Sequence, residues 1–333
     1  MTLQTDAERL AGIIADYREG EIDRPDAAHV LRWIAQFPAA VRAPLLAETT
    51  HVLARTYVDR PAMRRFLSSV AASKRFAGDD PATFWRGVAF LRIQQAGNSQ
   101  RDMLALFDEI LQDAFGFTTA DCGAQPHTHV YLDDGVFSGN RVATDVMRWI
   151  ETAAPANARI AVVVIATHLY GRYNADGRIR KAASAAGKDV KLDWWHQREI
   201  EDRKTYTNSS DVLRPKSVPT EAQAYAATLR YPPVLRTGDQ LGALKLFSSP
   251  AARDLIEQEF LKDGIDVLDR CRLLRERPAM RPLGAVTLAT LGFGTMFVTY
   301  RNIANGTPLV LWAGDPWYPL FERKTNAKIT GRR

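Results

Sequence analysis

Over the first 85 positions apolar residues recur at helical spacing. Leu10, Ile13, Ile14 and Tyr17 share one face, with a capping box of Thr5 and Glu8 ahead of them. Asp23, Asp59 and Asp80 each open a proline-containing helix start, and Asp80 with Pro81 fits the N-cap and first helical position. The sets Val30, Leu31, Trp33, Ile34, Phe37 and Leu45, Leu46, Val52, Leu53 are one-sided faces in need of a partner. Residues 1–85 therefore predict a helical subdomain.

From Gly87 the period changes. GVAFLRIQQ predicts a strand, AGNSQ a polar turn and RDMLALFDEILQDAFG an amphipathic helix; HTHVYLDD, GVFSGN and RVATDVMRWI repeat that order. RIAVVVIAT is nearly continuous in apolar residues, as a central parallel strand covered on both faces should be. A helix over 177–187 and a strand in DVKLDWW follow, so residues 86–207 predict a parallel α/β sheet with flanking helices. NSSDVLRPKSVPT, 208–220, reads as a connector. Ser249 and Pro250 start a helix that Gly264 is expected to end, and MFVTY and PLVLW are strand-like pieces around the turn RNIANGT. Residues 208–333 thus read as a mixed α/β hood that completes or caps the core.

Composition narrows the picture. The chain has 333 residues, 46% hydrophobic and 25% charged, an ordinary globular composition for which disorder is not the default. Its net charge of +6 is spread among 38 acids, which suggests anionic ligands more than a nucleic-acid arm. The densest basic stretch, Arg270, Arg272, Arg275, Arg277 and Arg281, reads as a solvated or acid-paired helix face, with nucleic acid or a partner surface as the alternative. Cys122 and Cys271 lack metal-ligand spacing and read as small hydrophobes in a reducing cytoplasm. The start lacks a basic and an apolar region, and the most apolar window, 284–298, falls short of the ~20 residues that cross a bilayer. A soluble, cytoplasmic protein without membrane contact is the expectation. His127 and His129 alternate on one strand face, but without a nearby third ligand they read as ordinary strand histidines.

The candidate chemistry lies in VYLDDGVFSGNRV, 130–142. Two carboxylates, Asp133 and Asp134, end an apolar strand, where ligands bind in open α/β sheets. They suit the 2′ and 3′ hydroxyls of a ribose. The amides of Gly135, Val136, Phe137, Ser138, Gly139 and Asn140, the Ser138 hydroxyl and the helix start at Arg141 suit a 5′-phosphate. Gly139 would let the backbone approach that phosphate closely.

This DD-x3-SG pattern resembles the PRPP-binding motif of type I phosphoribosyltransferases. Phe137 stands where the motif has Thr, Ser or Ala, and Arg141 where it has Thr or Ser. A wider resemblance joins AFLRIQQAGNSQRDML, VYLDDGVFSGN, SDVLRPKSVP, the closing MRPLGAVTLATLGFGTMFVTYRNIANGTPLVLW and DPWYPLFERK to the PRTase-CE type proteins of bacterial conflict systems. Where such relatives have Asn-Asn-Thr, this chain has Asn305, Gly306 and Thr307.

The resemblance implies a type I phosphoribosyltransferase-like fold and a Mg²⁺-dependent transferase acting on PRPP or a nucleotide. Gly97, Asn98, Ser99 and Gln100 would then form the pyrophosphate loop, and Asp133 and Asp134 would be the catalytic pair. Asn302, Asn305, Thr307 and Trp312 would line a base pocket, their alternative reading being a hairpin turn beside core. The implied setting is antiphage defence, including retrons, with a reverse transcriptase, msDNA or a winged-helix protein as partner. The alternative is a module without turnover that senses nucleotides or associates with nucleic acid in a defence complex, motivated by Phe137 and Arg141.

Overall fold

The computed structural model of the chain describes residues 2–95, 97–271, 274, 276–286 and 290–324. It divides into two compact units, residues 1–60 with 201–333, and residues 61–200. These boundaries differ from the three segments expected from the sequence. Helices α1 (Leu3–Ile13), α2 (Ala27–Ile34) and α3 (Arg42–Thr56) bring Leu10, Trp33 and Leu45 into one core with Phe260, Trp312 and Phe321 of the C-terminal region. Their one-sided apolar stripes are closed by that region, not by one another alone. Thr2, not Thr5, caps α1, and Asp26, not Asp23, caps α2 by accepting from the His29 amide at 2.8 Å. A short strand, β1 (Tyr57–Val58), follows α3.

The second unit opens with α4 (Arg60–Ala71), α5 (Lys74–Ala77) and α6 (Pro81–Arg86), the last capped by Asp80 with Pro81 in its first turn as expected. The alternating region supplies β2 (Val88–Phe90), α7 (Ser99–Phe115), β3 (Thr128–Leu132), β4 (Gly135–Val136), α8 (Asn140–Thr152), β5 (Asn157–Val163), β6 (Ala166–His168), α9 (Leu169–Ala185), β7 (Asp189–Trp195) and β8 (Arg198–Ile200). All pairings are parallel, in the orders β2-β3-β5-β7 and β4-β6-β8, so the fold is α/β with helix-flanked parallel sheets. β3 is buried at every position, as a strand covered on both faces must be.

Three details depart from the sequence reading. The apolar run RIAVVVIAT divides into β5 and β6, GVAFLRIQQ yields strand only at 88–90, and α9 begins already at Leu169. The division of the run follows a common interruption. Leu132 pairs with Val163 and Gly135 with Ala166, while Val163 pairs with Trp195 and Ala166 with Arg198. Each strand therefore contributes two residues to the break, and the register is the same on both sides. The break falls at Asp133 and Asp134, at Val164 and Ile165, and at His196 and Gln197.

The remainder of the first unit holds α10 (Gln223–Ala227), α11 (Pro250–Arg270), β9 (Val298–Thr299, parallel to β1) and α12 (Leu309–Trp312). Ser249 caps α11 as expected, but the helix runs through Gly264. A Cβ there would lie 2.7 Å from the Pro282 carbonyl oxygen, so this glycine serves close packing and does not stop the helix. The expected strand in PLVLW is helix α12. All four of its residues are buried, and a short wholly apolar run carries no period to tell the two apart.

A buried charge cluster holds the SDVLRP segment. Glu257 accepts from Arg253 Nε at 2.8 Å, Arg236 Nε at 3.0 Å and the Arg214 amide at 2.9 Å. Arg253 in turn donates to the Ser210 carbonyl at 2.9 Å. Of the basic stretch, Arg270 pairs with Asp266 at 2.6 Å, as the acid-paired reading expects, and Arg272 and Arg275 lie outside the described residues. Among the described residues no helix is long and apolar enough to cross a membrane.

Candidate functional site

The acid pair occupies the interruption between β3 and β4. Asp133 and Asp134 are 6% and 8% exposed. The Asp133 amide donates to the Val163 carbonyl at 3.1 Å, which keeps the residue tied to the sheet. The Asp134 amide turns to the Asp133 carboxylate instead, Oδ1 accepting at 2.8 Å. The interruption thus frees a ladder amide and gives it to the first acid of the pair.

The turn that follows is built against α9. Gly139 has φ +74°, and a Cβ on it would sit 2.1 Å from the Gly171 carbonyl oxygen. The expected reason for this glycine was approach of a phosphate; the contact in the structure is with the first turns of α9. Asn174 Nδ2 donates to the Ser138 carbonyl at 3.1 Å, and Arg178 donates to Asn140 Oδ1 at 2.9 Å. The Phe137 ring packs on His168, centroids 5.1 Å apart, while His168 Nδ1 lies 2.9 Å from the Val136 carbonyl oxygen. α8 starts at this turn without a side-chain cap. Its first-turn amides keep the partial positive charge that favours an anion.

The loop before α7 is organised by a residue the sequence reading passed over. Gln94 donates to Ser99 Oγ at 2.9 Å and approaches Asp133 Oδ2 at 3.4 Å, and its Oε1 accepts the Gln100 amide at 3.1 Å. Gln100 Oε1 accepts the amides of Ile93 at 2.8 Å and Gln94 at 3.1 Å, and its buried Nε2 has no hydrogen-bond partner among the described residues. Ser99 and Gln100 were expected to face a leaving group; both are buried and brace the loop. Gly97 and Asn98 stay exposed at its tip, and Ala96 lies outside the described residues.

Beneath the pair lies a second polar layer. The Tyr131 hydroxyl donates to Asp145 Oδ2 at 3.1 Å and lies 3.5 Å from Asp133 Oδ2. Burial pushes the Asp145 carboxyl above its ordinary value, against the lowering effect of the Tyr131 bond, and pushes the Tyr131 hydroxyl up strongly. Asp145 was visible as a carboxylate on the apolar face of α8 between Val142 and Trp149; Gln94 gave no comparable signal.

The expected base pocket belongs to the other unit. Thr307 and Trp312 are 0% exposed, the indole donating to the Thr307 carbonyl at 2.9 Å and the Thr307 hydroxyl to the Ala304 carbonyl at 2.7 Å. They are core, with no ring face or hydroxyl left for a base. Asn302 accepts the Lys324 amide at 3.2 Å, and only Asn305 of the four is exposed. His127 lies against Phe84 and His129 against Trp149, and among the described residues no cluster of three or more His, Cys, Asp or Glu could hold a metal.

No curated protein and no solved structure matches the chain. The PRTase-CE family model matches residues 30–323. That span takes in both the acid pair and the closing region, so the chain belongs to the PRTase-CE family and is phosphoribosyltransferase-like.

Proposed function

We propose that the interruption after β3 binds the ribose phosphate of PRPP or a nucleotide, and that the protein transfers or hydrolyses at C1′ of that sugar. The observation that carries this reading is the placement of Asp133 and Asp134 at the C-terminal end of a central parallel strand, followed directly by a Gly139 turn and an uncapped helix start. The carboxylates would accept from the 2′ and 3′ hydroxyls. The turn and the first amides of α8 would receive the phosphate. Exposed Gly97 and Asn98 would meet a pyrophosphate, with Gln94 linking that loop to Asp133.

Two adjacent carboxylates, with no cluster of three or more His, Cys, Asp or Glu among the described residues, fit a magnesium ion held chiefly by the ligand's own oxygens. Such an ion would neutralise charge on the leaving pyrophosphate. The residues themselves position the sugar and stabilise positive charge developing at C1′; none needs to attack.

Calorimetry with PRPP and MgCl₂, paired with a pyrophosphate-release assay, tests the proposal. Wild type binds and Asp133→Asn with Asp134→Asn does not; unchanged binding by that variant would remove the reading. Release of pyrophosphate distinguishes a transferase from a sensor, which would bind without product. A role in antiphage defence beside a reverse transcriptase, msDNA or a winged-helix protein belongs to the same proposal, and co-purification from the native locus tests it.

A further inference from the structure

We infer that the outer face of α9 is a binding surface for single-stranded nucleic acid. Tyr170 and Tyr173 are 50% and 75% exposed, and their spacing of three places them on one side of the helix. Gly177 and Lys181, at successive steps of four, continue the same stripe, and both are exposed. Two aromatic rings kept in water beside cations form the platform on which bases stack while phosphates meet charge.

Gly177 supplies an independent observation. Glycine inside an exposed helix is destabilising relative to alanine. The other glycine of α9, Gly171, has its reason in the Phe137 carbonyl oxygen, which a Cβ would meet at 1.7 Å. Gly177 has no such neighbour among the described residues: a Cβ would meet none of them within 4 Å. Its missing side chain leaves backbone open between Tyr173 and Lys181, where a planar base or a sugar can come close.

Charge fits the same occupant. Asp176, the acid of this helix, is neutralised by Arg180 at 2.6 Å and also accepts from the Trp194 indole at 3.2 Å. Arg178 spends one donor on the neutral Asn140 amide oxygen, and no carboxylate pairs with Arg178 or Lys181 among the described residues. A polyanion on this face therefore meets net positive charge. A protein partner would find aromatic rings without an apolar surround, which favours the nucleic acid. Tyr170, Tyr173, Gly177 and Lys181 have no part in the sugar-phosphate reading, so the two stand or fall separately.

The test is fluorescence anisotropy with a labelled 12-nucleotide DNA and the RNA of the same sequence, using the full chain at 50 mM salt and again at 200 mM. Binding is expected for the single strands, weaker for the DNA annealed to its complement, and weaker at the higher salt. Tyr173→Ala, at a position too exposed to unfold the protein, is expected to weaken it about fivefold or more. Gly177→Ala is expected to raise the melting temperature and still lower affinity. No anisotropy change with either strand, or wild-type affinity in a Tyr170→Ala/Tyr173→Ala variant of unchanged melting temperature, overturns the inference. Titration of PRPP into the same double variant reads the sugar-phosphate site separately.

Discussion

Glu257→Gln removes one charge from the cluster that pins residues 210–215 and changes almost nothing in shape. The side chains of Glu257, Arg253 and Arg236 are all 0% exposed. Arg236 keeps Asp254 as a partner, so the group that loses its hydrogen-bonded carboxylate is Arg253, whose remaining acceptors are neutral carbonyls such as those of Gln240 and Ser210. Breaking a buried pair from one side costs about 3–5 kcal/mol. The surviving Asp254 contact and the amide oxygen of the new glutamine argue for the lower end, ~3 kcal/mol. For a unit of about 190 residues each kcal/mol moves the melting temperature by roughly 2–4 °C, giving a fall of about 6–12 °C. Differential scanning calorimetry measures it. Arg253→Met with Glu257→Met removes both charges and should lose less than the single variant. A Glu257→Gln protein melting within about 2 °C of wild type, or a double variant worse than the single, would refute the argument that uncompensated charge sets the cost.

Three further outcomes follow from the site. Gly139→Ala should lower stability by at least ~2 kcal/mol, read by thermal melting, because alanine must adopt φ +74° and meet the Gly171 carbonyl oxygen at 2.1 Å. Tyr131→Phe leaves buried Asp145 without its donor and should cost about 1–3 kcal/mol. Because the folded-state pKa of Asp145 lies above its unfolded value, its contribution is present at acid pH and fades as pH rises, so the variant's deficit in urea unfolding should be larger at pH 7.5 than at pH 4.5. Gln94→Ala should weaken PRPP binding about tenfold by releasing the loop from Asp133, measured by calorimetry at a temperature well below the variant's own melting point.

Legibility in the sequence varied with the kind of signal. The alternating strands and helices of 86–207 were readable because β3 and β5 end in apolar runs, 130–132 and 160–163, and α8 is strongly one-sided. The acid pair was readable because two carboxylates ending an apolar strand violate the pattern of the strand itself. What escaped depended on tertiary contact. The helix identity of Leu309–Trp312, the continuation of α11 past Gly264 and the shared core of residues 1–60 with the C-terminal region are decided by distant partners. Gln94 escaped because one polar residue after a strand looks like any other loop residue. Ser99 and Gln100, read as the end of a polar turn, instead open α7 and are buried, since chain order does not say which residues of a polar stretch face inward.

The conserved offset across the β3–β4 interruption has a consequence for how this chain tolerates length changes. Leu132 and Gly135 keep step with Val163 and Ala166, so the stretch between them works as a fixed spacer. One added or deleted residue there would invert which side of the sheet β4 presents. It would also pull Gly139 away from Gly171, so that stretch should admit exchange of side chains far more readily than any insertion.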